Sequence, residues 1–216
     1  MEEPRGRSPG AVDRRWPRAA GVLAMGLGGA LALASGRLSR PQLYAALNWG
    51  ALLVHQFEEY EDPGYFPGQF NRGLFGSDRP GAYPLNARAA LWTNTALAYP
   101  FYALPVLLPG RRWLGIAPAL LGMAQAVSHG LLFPLKAGAR YSPGFLAAGL
   151  LHVPLGVRYL AAIAEEDGSI DRADWARGVL YAAAFAAATA APQALLRDPD
   201  SPYRFTDRQL GPYTGG

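Results

Sequence analysis

The sequence contains no cysteine. That excludes disulfides, thiolate-held iron–sulfur clusters, cysteine zinc sites and thiol nucleophiles, and leaves the redox compartment open. Lysine is nearly absent as well: of 20 basic residues, all but Lys136 are arginine. Charge is sparse, with 17% of residues charged against roughly a quarter in soluble domains. The net charge of +4 is modest, and no basic cluster is interleaved with stacking aromatics, so no nucleic-acid partner is expected. Histidine occurs three times, at His55, His129 and His152, each time inside an apolar segment.

What the chain does have is apolar length. Half of its 216 residues are hydrophobic. Mean hydropathy is only +0.03, because polar ends and the 61–87 stretch dilute it. Window by window, six apolar segments emerge at about 19–36, 42–60, 88–109, 113–135, 144–164 and 173–196. Most approach the ~20 residues needed to cross a bilayer. Interior prolines (Pro100, Pro105, Pro118, Pro154, Pro192) and many glycines suit packed membrane helices. A soluble alanine-rich bundle would carry a polar face along every helix. Segments 19–36, 113–135 and 178–196 show almost none. The expected fold is an all-α, multi-pass transmembrane bundle of about six spans, with five as the alternative. The expected organisation is a disordered basic tail over 1–18, one membrane-embedded domain over 19–196, and a polar, mostly unstructured tail over 197–216. The basic tail followed by 19–36 has the look of a signal peptide. Further apolar segments follow at once, which favours a retained first helix. The 61–87 connection reads as a lid or an interfacial loop.

With six spans, thirteen basic residues fall on the side of both termini and six on the other. The positive-inside rule then places both termini in the cytoplasm. Glu165, Glu166 and Asp167 fall on the opposite side and read as a solvated loop.

The chemistry concentrates in Val54-His55-Gln56-Phe57-Glu58-Glu59-Tyr60. On a helix, positions four and seven apart share a face. Tyr44, Asn48, His55, Glu59 and Asp62 therefore form one polar stripe with Glu58 at its edge. A polar stripe on a membrane helix faces the bundle interior, and intramembrane ionisable residues mark functional sites. His55 and Glu59 can converge on one atom. His55 and Glu58 have the Glu/His spacing of bundle-core metal sites, in reversed order. Counting from the nearest loop residues, His55, Asn94, His129 and His152 lie roughly 9–18 Å below the same face. Four spans thus deliver polar groups to one layer. Gln125 lies one turn before His129 on the same face, and Gly149 and Gly156 flank His152 at helical spacing, which allows a close helix approach.

His55-Gln56-Phe57-Glu58-Glu59 also resembles the signature of the HXXEE-domain family of multi-spanning bacterial membrane proteins. Asn94 in Trp92-Thr93-Asn94-Thr95 and His129 in Ser128-His129-Gly130 look like that family's downstream asparagine and second histidine. Tyr141-Ser142-Pro143-Gly144 resembles its Tyr-x-Pro-Gly turn. The resemblance spans about 42–164 and implies a multi-pass protein of a bacterial cytoplasmic membrane with an enzyme-like residue pattern. It names a group and not a reaction. His152 and Asp62 rest on the depth and face arguments alone.

Three functional classes fit. The first is a metal-dependent membrane enzyme, with His55, Glu59, His129 and His152 as ligands for zinc or iron. Glu58, Glu59 and Asn94 would be catalytic, and Asn48, Asp62 and Gln125 would support them. The second is a metal-free acid–base isomerase or cyclase. The third is a transporter or proton pathway using the same layer. In the enzyme readings, access from the bilayer favours a small lipophilic or amphipathic substrate. Oligomeric state is not legible.

Overall fold

The structure is a computed structural model and describes residues 11–214. Among the described residues every regular element is a helix and there is no strand. Six long helices dominate: α1 (Ala11–Ala34), α2 (Arg40–Tyr60), α3 (87–107), α4 (Trp113–Ala137), α5 (Phe145–Asp167) and α6 (Arg172–Leu196). Each corresponds to one apolar segment of the sequence. Ser39 starts α2 by accepting from the Gln42 N–H, Asn86 starts α3 by accepting from Ala89 N–H, and Asp171 starts α6 through Ala173 N–H. These side chains satisfy donors that a helix start leaves open.

Four stretches are long and apolar enough to cross a membrane: Arg15–Arg37, Trp113–Ala137, Phe145–Asp167 and Arg172–Leu196. Six such helices were expected; α2 and α3 fall short in hydropathy rather than in length. The reason is their place in the bundle. α2 packs against α1, α3 and α5, so most of its surface meets protein and need not be apolar. α3 carries Thr93, Asn94, Thr95, Tyr99 and Tyr102, several of which face a cavity described below. By contrast, only 11% of the apolar window of α1 and 6% of that of α6 is buried. Met25, Leu33, Leu135, Leu150, Leu180 and Leu195 stand fully out from the bundle.

The helices alternate in direction. α1 runs antiparallel to α2: Arg18 pairs with Glu61 at 2.8 Å, and Gly21 sits where a Cβ would meet the Phe57 ring at 2.7 Å. The 61–87 connection, the α4–α5 turn and both ends of the described chain therefore gather at one end, here called the cap. At the other end Arg40 pairs with Glu165, and Arg112 with Glu166 and Asp167. Glu165, Glu166 and Asp167 are exposed, as expected, but form the last turn of α5 rather than a loop, and their ion pairs tie α5 to the start of α2 and to the residue before α4.

Two tail expectations need correction. Residues 11–18 are helical, because Trp16 packs on Tyr60 (ring centroids 5.0 Å) and Asp13 pairs with Arg88 at 3.2 Å. Arg5 and Arg7 lie outside the described residues. The C-terminal segment is no loose tail either. Phe205 and Leu210 are buried with Tyr60, Phe66 and Leu85, and Thr206 and Gln209 form a capping box that starts a short helix, Asp207–Leu210. The 61–87 connection is ordered around Asn71. Its amide donates to the Pro80 and Leu85 carbonyls (2.6 and 2.7 Å), and its oxygen accepts from Leu85 N–H.

Candidate functional site

Beneath the cap, α2, α3, α4 and α5 bring their polar residues into one buried layer. Glu59 Oε1 lies 3.5 Å from His55 Nε2 and 3.3 Å from His129 Nε2. The His55 ring is edge-on to those of His129 and His152, at centroid distances of 4.9 and 5.6 Å. His55 is 2% exposed, and His129 and His152 1% each. Ligand atoms of His55, Glu59 and His129 all lie within 4.8 Å of one another.

Each remaining candidate has a definite place. His152 turns Nδ1 to Asn48 Oδ1 at 2.7 Å. It adjoins His55 but stays outside the three-residue ligand group. The Asn94 side-chain amide donates to the Tyr60 hydroxyl at 3.2 Å and to the Ala90 carbonyl, while the Asn94 backbone carbonyl accepts from Gln56 at 2.7 Å. Gln125 lines the cavity with Glu59 and His129. Asp62 is exposed, contrary to its expected supporting role: α2 ends at Tyr60, so the helical stripe does not extend to it. Glu58, expected as a catalytic carboxylate, is occupied. It accepts from the Tyr141 hydroxyl, from Leu146 N–H (3.1 Å) and from Ala147 N–H (2.8 Å). Both amides belong to the first turn of α5, where an anion is favoured by unpaired N–H groups and the helix dipole. Glu58 thus clamps α2 to the start of α5.

The Tyr141–Gly144 turn supplies more than the sequence suggested. Tyr141 holds Glu58, and burial together with that bond pushes its hydroxyl pKa up. Ser142 Oγ lies 3.1 Å from His129 Nδ1, leaving Nε2 directed at Glu59. Gly144, at φ +104°, packs against both site histidines; a Cβ there would come within 2.8 Å of His55 Cε1 and 2.9 Å of His129 Cε1. Gly122 plays a similar part beside His152, where a Cβ would lie 2.6 Å from Nδ1. Of the two glycines flanking His152, Gly156 marks a close approach to α4, at Ala119 and Met123, and Gly149 does not.

Asn94, His129 and His152 all sit in π-helical turns: Trp92–Leu97, Ser128–Leu132 and Ala148–His152. Ala98 N–H reaches back to Thr93 O, Phe133 N–H to Ser128 O, and Val153 N–H to Ala148 O. A proline follows within three residues each time, at Pro100, Pro134 and Pro154. A proline ring clashes with the carbonyl four residues back, and local widening relieves such a clash. π turns of this kind recur at functional sites.

A cavity of about 410 Å³ opens beside the layer, with Glu59, Asn94, Gln125 and His129 on its wall and α6 along one side. Phe66, from the 61–87 connection, packs against His129 with its ring tilted (centroids 5.0 Å) and lines the cavity from the cap side.

A family model described as "Protein of unknown function with HXXEE motif" matches residues 46–159. No curated protein and no solved structure matches the chain. The matched span runs from within α2 to within α5 and contains the three histidines, Glu58, Glu59, Asn94 and the Tyr141–Gly144 turn. The motif for which that family is described is thus the helix face that builds this layer, and the chain belongs to the HXXEE family.

Proposed function

We propose that this chain is an integral-membrane enzyme whose site holds a divalent metal ion, zinc or iron, through His55, Glu59 and His129. The observation that carries the reading is the spacing of those three groups. Metal–ligand bonds of about 2.0–2.1 Å in tetrahedral geometry separate ligand atoms by about 3.3 Å. The two distances to Glu59 Oε1 are 3.3 and 3.5 Å. The 3.5 Å contact is too long for a good hydrogen bond, and both ring nitrogens of His55 are buried without a partner. Unsatisfied buried polar atoms are costly, and ligation of Nε2 would relieve one.

Three protein ligands leave a coordination position open, the arrangement of catalytic rather than structural zinc sites. Such an ion would polarise a substrate oxygen or lower the pKa of water beside it. The chain's own residues supply the remainder. Ser142 orients His129, as outer-shell partners of metal-bound histidines do. Glu58 fixes α2 against α5, Gly144 leaves room for the two imidazoles, and the cavity brings a substrate to Glu59 and His129. His152, held by Asn48, adjoins His55 at a ring-centroid distance of 5.6 Å.

The bilayer reading rests on the exposed apolar surfaces of α1 and α6, which nothing in the bundle covers. Large exposed apolar surface calls for a partner, and a bilayer is the partner that helices of this length fit. With α2 enclosed and α3 lining the cavity, the reading is six spans with both termini in the cytoplasm of a bacterial cell.

Elemental analysis of detergent-purified protein tests the metal. Stoichiometric zinc or iron is expected, lost in His55→Ala and in His129→Ala. Folded protein that carries no metal, and whose thermal unfolding is unmoved by added zinc or iron, would overturn the reading and favour metal-free acid–base chemistry.

A further inference from the structure

The cavity wall mixes polar and apolar side chains. Glu59 and His129 share it with Thr93, Asn94 and Gln125, and Phe66 and Phe133 pack on His129 at ring-centroid distances of 5.0 and 4.9 Å. Leu121, Tyr102 and Phe185 add further apolar surface. Thr93 Oγ1 is buried without a hydrogen-bond partner, although a buried hydroxyl normally has one. It is therefore an unused donor on the cavity wall. No arginine or lysine contributes to the wall, and phosphate recognition normally recruits such cations.

α6 forms the side wall, and it is attached unevenly. Its first half is anchored: Gly178 packs directly on Ile116, and Phe185 stacks on Phe101 at 3.8 Å. Its far end is tied by Asn86, which donates to the Leu196 carbonyl at 2.7 Å. Between these anchors, Ala186, Thr189 and Gln193 border the cavity, and the residues around them are mostly alanine.

We propose that this cavity binds a single-chain amphiphile with a neutral oxygen-bearing head (alcohol, aldehyde or ester), entering sideways from the bilayer between α4 and the second half of α6. The head lies against Glu59 and His129, with Thr93 donating to its oxygen, and the chain runs along Leu121, Tyr102 and Phe185. The volume is near the lower end of the range for small-molecule sites, about 300–1,000 Å³, which suits one chain rather than two. The proposal rests on the enzyme reading above and names the substrate class of that site.

The test uses the full chain in nanodiscs and hexadecanol carrying a tail diazirine, with hexadecyl phosphate bearing the same group as comparator. Photo-adducts are expected on the cavity-lining residues of α4 and α6, competed by unlabelled hexadecanol. The phosphate should label at least roughly tenfold less. Ala186→Trp, and Leu121→Trp from the opposite wall, should each reduce the adducts several-fold. Thr93→Val should weaken competition by the alcohol more than by hexadecane. Adducts spread over outward residues such as Leu107 and Leu135, and unchanged in both tryptophan variants, would overturn the site. Equal or stronger labelling by the phosphate would overturn the neutral head. Metal content measured on the same samples separates the two readings. Labelling retained in metal-free protein sinks the metal reading alone, and stoichiometric metal without site-selective labelling sinks this proposal alone.

Discussion

Glu58 and Glu59 are neighbours of identical chemistry, separated by about 100° around α2. That rotation gives them different tasks. Glu59 faces His55, His129 and the cavity; Glu58 faces Tyr141 and the first turn of α5. Glu59→Gln should therefore abolish stoichiometric metal while leaving the unfolding temperature of metal-free protein nearly unchanged. Glu58→Gln should do the reverse, retaining metal and losing about 1–3 kcal/mol of stability, the cost typical of weakening bonds to a buried charged acceptor. Elemental analysis and thermal unfolding on both variants check the contrast; metal loss in Glu58→Gln alone would exchange the roles. Ser142→Ala belongs to the same scale. Removing the partner of His129 Nδ1 should weaken metal affinity by about 10–100-fold without changing its stoichiometry at saturation, as read from competition with a chelator.

At the scale of elements, helix number, order and most boundaries could be read from apolar length, and the shared layer of His55, Asn94, His129 and His152 followed from counting residues to the loops. The turn geometry within helices could not. A regular 3.6-residue repeat gives no hint that three helices widen at the site, although Pro100, Pro134 and Pro154 were visible and sit just beyond each widened turn. The cap was misread for a related reason. Sparse apolar residues such as Trp16, Phe205 and Leu210 lack periodicity, yet each finds the Tyr60–Phe66 cluster in three dimensions. Thr206-x-x-Gln209 was a readable helix-start signal. Asp62 failed because the stripe was extended past the end of its helix. The widened turns lead to a prediction. Pro134→Ala restores an N–H and removes the ring clash, so an ordinary α-helical turn can form at 128–132 and rotate His129 away from Glu59. Metal affinity should fall by at least about tenfold, with the outer-shell figure as the floor, while helix content by circular dichroism stays the same. Unchanged affinity would show that the π turn is held by packing rather than by Pro134.

For the whole molecule, the two ends of the bundle differ in kind. The cap end collects the 61–87 connection, the Tyr141–Gly144 turn and both ends of the described chain, joined by Arg18–Glu61, Arg88–Asp13 and Arg79–Asp200 pairs. It carries most of the arginines and closes the layer from above. The opposite end has short connections. If the chain spans a bilayer six times, the cap faces the cytoplasm, and the site lies nearer that surface. The missing cysteines make this directly measurable, because a single introduced thiol is then the only one to react. Gly36→Cys and Gly110→Cys lie in the short connections opposite the cap, where a Cβ meets nothing. Asp78→Cys, Arg140→Cys and Asp200→Cys lie at exposed positions of the cap. In intact cells stripped of their outer barrier, a membrane-impermeant maleimide should label the first pair, and should reach the other three only after the membrane is opened. Labelling of Gly36→Cys on the same side as Asp78→Cys would mean that α2 does not cross. The layer would then open to water rather than to lipid, and the bilayer route into the cavity would fail with it.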